Sequence, residues 1–102
     1  MPVNIQRLED DNTVVIEIAG RFDFSLHTVF RNAYKDKELD DGVFIVDLEK
    51  TEYLDSSALG MLLLLKEHAE TMGSGVIIKN PNQDILDVLN IASFSKLFRI
   101  EA

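Results

Sequence analysis

Two serines behind an aspartate, Asp55-Ser56-Ser57, stand directly before the apolar run Ala58 to Leu65. A hydroxyl in that setting has three possible uses. It can act as a nucleophile, cap a helix or accept a phosphoryl group. The first use needs a base within hydrogen-bond reach. The chain has two histidines, His27 and His68. His68 falls about three helical turns beyond Ser56, too far along the same helix. His27 belongs to a different element and is expected at the surface. No HExxH spacing or other metal-ligand cluster occurs. Gly73-Ser74-Gly75 is the only glycine-rich turn, and it lies between a helical pattern and a strand pattern, the reverse of a phosphate-binding loop. Asp47 and Glu49 have strand spacing and read as a solvated strand end. Met61 and Met72 read as packing residues. These residues argue against an enzyme, so any phosphate on a serine must come from a separate kinase.

Composition narrows the partners. The 102 residues suffice for one domain with a modest core. Eighteen acids against ten bases give a formal charge of −8. That balance disfavours a nucleic-acid backbone, which calls for clustered Lys and Arg, and disfavours anionic membrane surfaces. Cysteine is absent, which leaves no disulfide or thiolate site. The longest apolar run stops at Lys66 and is too short for a bilayer, so no direct membrane insertion is expected. The N-terminus lacks a basic stretch followed by an apolar run, and a cytoplasmic location is expected.

The elements that must position the serines can be read from periodicity. Val3, Ile5 and Leu8, a polar turn from Glu9 to Asn12, and alternating Val14, Ile16 and Ile18 predict a β-hairpin that Gly20 ends. Ser25 suits an N-cap, with Leu26, Val29, Phe30 and Ala33 at helical spacing behind it. The charged stretch Lys35 to Asp41 and Gly42 close that helix. Val43 to Leu48 is nearly all apolar, which predicts a strand buried on both faces. A second helix starts near Asp55 or Ser56 and runs to about Met72, with Gly73 as C-cap. Val76 to Ile78 predict another buried strand. Pro81 suits the first turn of a third helix carrying Ile85, Leu86 and Leu89 on one face. Phe94, Leu97, Phe98 and Ile100 form an apolar tail expected to pack on the sheet. The order β-β-α-β-α-β-α implies an α/β fold, a single domain with a mixed, mostly parallel sheet.

A helical wheel divides the second helix. Leu62, Leu65, Ala69 and Met72 fall within about 40° of Ala58 and form the core stripe with it. Ser56, Gly60, Leu63 and Glu67 fall on the opposite side, with Leu64 about 60° from Glu67. This strip joins a hydroxyl at the helix start to leucines that the core does not need. Its glycine costs about 1 kcal/mol against alanine, which suggests close approach by another surface. Single exposed leucines are common, and a second helical layer could equally cover them. Either Asp55 or Ser56 could cap the helix. If Asp55 does so, Ser56 is free. A phosphate there would sit beside unpaired N–H groups and the positive end of the helix dipole, against repulsion from Asp55. It would add about −1.5 to −2 charges to an apolar strip.

The stretch "YLDSSALG" resembles the signature of STAS domains, in particular bacterial anti-sigma factor antagonists, whose second helix opens on Asp-Ser-Ser-Gly-Leu-Gly. Asp55, Ser56, Ser57, Leu59 and Gly60 match it, and Ala58 replaces the first glycine. "GRFDF" resembles the family's Gly-x-(Leu/Phe)-Asp segment, with Asp23 at its acidic position. Length and element order agree, so residues 1–102 are expected to form one STAS domain. The resemblance implies partner switching. The unphosphorylated antagonist would bind an anti-sigma factor with serine kinase activity, phosphorylation at Ser56 would end that binding, and a serine phosphatase would restore it. It places Asp23, Asp55 and Ser57 beside the phosphosite and Gly60, Leu63, Leu64 and Glu67 on the partner surface. No cofactor is implied. STAS-like domains also serve as regulatory subunits of membrane transporters, lipid-transport complexes included, and that is the alternative expectation.

Overall fold

The computed structural model describes residues 2–8 and 12–102, apart from the side chains of Arg7 and Leu8. The turn expected over Glu9 to Asp11 and the expected packing of Leu8 lie outside the described residues. Strands β1 (Val3–Leu8) and β2 (Thr13–Ile18) pair antiparallel, as the alternation predicts. Strands β4 (Val43–Asp47), β6 (Gly75–Lys79) and β7 (Arg99–Glu101) add in parallel, giving one sheet of order β1-β2-β4-β6-β7. Strands β3 (Gly20–Phe22) and β5 (Thr51–Leu54) form a separate parallel pair. The helices are α1 (His27–Tyr34), α2 (Ser56–Glu70) and α3 (Gln83–Ile91), with 3₁₀ turns at Phe24–Leu26 and Phe94–Lys96. The result is a single α/β domain with a mixed, mostly parallel sheet.

One face of the sheet carries the core. Val14, Ile16 and Ile18 of β2, Phe44 and Val46 of β4, and Val76 and Ile78 of β6 are buried, and they join one cluster with Phe30, Leu62, Leu65 and Ile85 from the helices. The alternate positions Val15, Ile45 and Ile77 lie in register on the other face and are only half-buried. The expectation that Val43 to Leu48 is buried on both faces is therefore corrected. The sheet is one-sided, and β-branched residues pair across strands on its open face. That cross-strand preference makes the run look doubly buried.

Other boundaries also move. Pro81 is not in the first turn of α3. It precedes Asn82, whose side-chain oxygen caps the helix by accepting from the Ile85 amide at 2.9 Å. The apolar tail does more than pack, since its last residues form β7. Leu97 remains 47% exposed while Phe94 and Phe98 are buried. Within the charged stretch after α1, Leu39 is fully buried and its amide meets Met72 Sδ at 3.3 Å. Helix α2 ends at Glu70 and closes with a Schellman pair. The Gly73 amide donates to Glu70 at 3.1 Å and the Ser74 amide to Ala69 at 2.9 Å. Gly73 has φ +67°, which the αL closing residue requires.

The β3–β5 pair is fastened to the main sheet by Thr51, whose buried hydroxyl donates to the Ile18 carbonyl at 2.7 Å. Thr51→Val keeps the shape but leaves that buried carbonyl without its donor. It is expected to lower folding stability by about 1–3 kcal/mol in urea unfolding followed by circular dichroism. An unchanged midpoint would show that the bond is not the fastening.

Candidate functional site

The site is built at the ends of β3 and β5. Their register pairs Arg21 with Tyr53 and Phe22 with Leu54. Phe22 and Leu54 are buried, while Arg21 and Tyr53 face outward. Because the strands are parallel, the next residues, Asp23 and Asp55, leave the pair at the same end. Each is an extended residue that caps the helical segment directly after it.

Asp55 is the N-cap of α2. Its Oδ1 accepts from the Ala58 amide at 3.1 Å and from the Ser57 hydroxyl at 2.6 Å. This settles the choice between two caps that the residues alone leave open, and it makes the serines unequal. Ser57 is half-buried and tied to Asp55. Ser56, the first helical residue, is exposed, and its hydroxyl has no hydrogen-bond partner among the described residues.

Asp23 repeats this pattern. Its Oδ1 accepts from the Ser25 amide at 3.0 Å and from the Ser25 hydroxyl at 2.5 Å. The cap expected at Ser25 is therefore supplied by Asp23, and it opens a 3₁₀ turn ahead of α1. Ser25 supplies the amide that is capped, so the cap comes from a residue before it. The Asp23 carboxyl is held below its ordinary value of 3.8, first by the Ser25 hydroxyl and then by the Ser25 amide. Partial desolvation works the other way, and Arg21 adds a smaller pull. The residue after each cap points outward. In one loop it is Ser56, and in the other it is Phe24, 66% exposed and stacked on His27 at 5.1 Å.

Along α2 the wheel's division is visible in the exposures. Ala58, Leu62, Leu65 and Ala69 are fully buried. Gly60 and Glu67 are exposed, Leu63 is 38% exposed and Leu64 48%. A Cβ added at Gly60 meets nothing within 4 Å, so nothing among the described residues uses the space it leaves. Two outward residues escape the reading from sequence. The Arg21 guanidinium lies 4.0 Å over the Tyr53 ring, and its Nε is 3.5 Å from Asp23 Oδ2. Both stand inside the matched motifs, but only the β3–β5 pairing reveals that they meet. His68 is not near Ser56. It packs against Tyr34 at the far end of α2, beside a cleft of about 390 Å³ lined by Lys37, Thr71 and Met72. Asp47 bonds its own strand end, accepting from the Glu49 amide at 3.0 Å. No helix among the described residues is long and apolar enough to cross a membrane.

The STAS domain family model matches residues 4–102. A STAS-domain containing protein of Pseudomonas aeruginosa (strain UCBPP-PA14) is 42% identical over 91 residues, covering 89% of this chain and 90% of its own. A putative anti-sigma factor antagonist of Thermotoga maritima superposes with a TM-score of 0.84 at 18% identity, over 98% of this chain and 86% of the other. The anti-sigma factor antagonist SpoIIAA in its unphosphorylated form gives 0.72 at 19% identity, over 98% and 87%. The Bacillus cell fate determinant SpoIIAA in its phosphorylated form gives 0.67 at 18% identity, over 98% and 91%. At these identities the structures establish the shared fold.

The Asp23 turn yields a titration test. A carboxyl with a depressed folded pKa stabilises the fold above its unfolded value, and that contribution is lost as pH falls through the lower folded value. Ser25→Ala removes the largest cause. The Asp23 midpoint, followed by NMR of its carboxyl carbon, is expected to rise toward 3.8. A midpoint unmoved by Ser25→Ala would overturn this account of the turn.

Proposed function

The chain belongs to the STAS domain family, and from that premise we propose that it is an anti-sigma factor antagonist switched by phosphorylation of Ser56. The observation that carries this reading is the inequality of the two serines. Asp55 caps α2 and holds Ser57, leaving the Ser56 hydroxyl exposed and, among the described residues, without a hydrogen-bond partner at the first helical position. A partner kinase can reach it without opening the fold. Transfer forms the Oγ–phosphorus bond as the γ-phosphoryl group leaves ADP, and the hydroxyl proton departs.

In the unphosphorylated state the strip of Gly60, Leu63, Leu64 and Glu67 meets an anti-sigma factor with serine kinase activity. The leucines are the desolvated anchors of that contact, and Gly60 lets the partner's backbone approach. Phosphorylation places about −1.5 to −2 charges at the head of the strip. The partner must then desolvate that charge or withdraw. Helix α2 itself tolerates the anion, because its first amides and dipole favour negative charge. The switch therefore works through surface charge, with the fold retained. A serine phosphatase resets it. The proteins that share this fold as anti-sigma factor antagonists support the reading, as does SpoIIAA, which adopts the fold in unphosphorylated and phosphorylated forms.

Three measurements test this. After incubation with the kinase and ATP, mass spectrometry is expected to find phosphate on Ser56, and phosphate chiefly on Ser57 would refute the assignment. In partner titrations Ser56→Ala is expected to bind like wild type, and Ser56→Asp at least tenfold more weakly, about 1.4 kcal/mol. Full affinity in Ser56→Asp would favour the alternative, a transporter regulatory subunit whose docking needs no phosphate control. Leu63→Glu is expected to change thermal stability by no more than about 0.5 kcal/mol while costing about 2 kcal/mol or more in binding. Leu62→Glu, which points into the core, is expected to unfold the domain. A stable Leu63→Glu that binds normally would remove Leu63 from the contact.

A further inference from the structure

We propose that Arg21 is the phosphate clamp of this switch, leaving Asp23 to pair with the phosphate carried by Ser56. The inference rests on the reading of Ser56 as a phosphosite and adds a residue that the family motif does not assign.

Arg21 lies opposite Tyr53 in the parallel pair, with its guanidinium 4.0 Å over the ring. The same group reaches forward to Asp23, two residues further along the strand. The cation therefore points toward the end of the pair where both chains turn into helices. Asp23 and Asp55 leave that end together, and Ser56 is the next residue after Asp55. One residue step along a strand is about 3.3 Å, so Tyr53 and Ser56, three steps apart, are separated by about 10 Å, and the Arg21 side chain already covers two such steps in reaching Asp23. Lys50 precedes β5 and lies at the opposite end of the pair, roughly 13 Å away along a strand of that rise.

Arg21 can also be released at little cost. Asp23 makes its short bonds through Oδ1, to the Ser25 amide and hydroxyl at 3.0 and 2.5 Å. Arg21 touches the other oxygen at 3.5 Å, and its side chain is 65% exposed. An exposed pair of that length contributes little. Moving the guanidinium away leaves the Asp23 cap intact.

The surroundings supply the demand for a cation. A phosphate on Ser56 would stand beside Asp55 and Asp23 in a chain of formal charge −8. His27, at the start of α1, is stacked on Phe24. A guanidinium answers that repulsion with a planar pair of donors suited to phosphate oxygens, and a dianion outcompetes a loosely held carboxylate. Phosphorylation then has a second effect, because withdrawal of Arg21 uncovers the Tyr53 ring.

The test uses the full chain with phosphoserine genetically encoded at position 56, so it does not depend on finding the kinase. ³¹P NMR titration reads the second pKa of the phosphate. The value is expected to rise by about half a pH unit in Arg21→Gln relative to the Arg21 protein, and to be partly restored in Arg21→Lys. Arg31→Gln removes the same charge from the exposed side of α1 and controls for net charge. Circular dichroism melts of the unphosphorylated variants confirm that each folds. A folded Arg21→Gln protein whose phosphate pKa moves no more than that of Arg31→Gln overturns the clamp. If the clamp is seen but the kinase does not modify Ser56, the switch reading fails and the electrostatics stand.

Discussion

In a parallel strand pair both chains run out at the same end, and the segments beyond them emerge side by side. Strands β3 and β5 are such a pair, only three and four residues long. Buried Phe22 and Leu54 and the Thr51 hydroxyl fix its position against the main sheet. With that register set, Asp23 and Asp55 must come level, and each finds nearby amides to satisfy. A capping aspartate turns its carboxylate back onto the residues it caps. The residue immediately after it is thereby turned outward. This is how Phe24 and Ser56 come to be presented together, with Arg21 and Tyr53 on the outward side of the same two strands.

Helix α2 serves two surfaces, and its sequence shows the conflict. Ala58, Met61, Leu62, Leu65 and Ala69 meet the core. Leu63 and Leu64 spend apolar area on solvent, and Gly60 weakens the helix although no neighbour within 4 Å would object to a side chain there. Intramolecular packing accounts for the first group and leaves the second unexplained. A contact made with another molecule accounts for both of its oddities, the leucines and the glycine. The proposed switch then needs no rearrangement of the backbone, since charge arrives at the helix terminus best able to hold it.

Much of this is legible in the chain because the periods are strong. Alternation marks the hairpin, and the phase of α2 separates Leu62 from Leu63 correctly. Each departure has a cause. A run of β-branched residues cannot say whether its second face meets a helix or water, so Val43 to Leu48 reads as doubly covered. Strands of three or four residues carry too little pattern to detect, which hides β3, β5 and β7. Ser25 and Asp23 both suit a cap, and only backbone geometry decides between them. Leu39 sits among charges, and its burial depends on Met72 arriving from the end of another helix. The candidate site divides the same way. Ser56 and its flanking residues are visible as a motif, whereas Arg21 and Tyr53 become visible only through the pairing of β3 with β5.

The order β1-β2-β4-β6-β7 has a further meaning during synthesis. Each strand of the five-stranded sheet pairs with the member that left the ribosome immediately before it. Growth never has to return to the first strand's other edge, as it does in the doubly wound orders that reverse direction. The sheet can grow at one edge as the chain lengthens, and the most recent strand is always the edge that waits for the next. Synthesis delivers the strands from the N-terminal side. That order of delivery coincides with the geometry of the finished sheet, so each new strand finds its partner at the edge opposite β1.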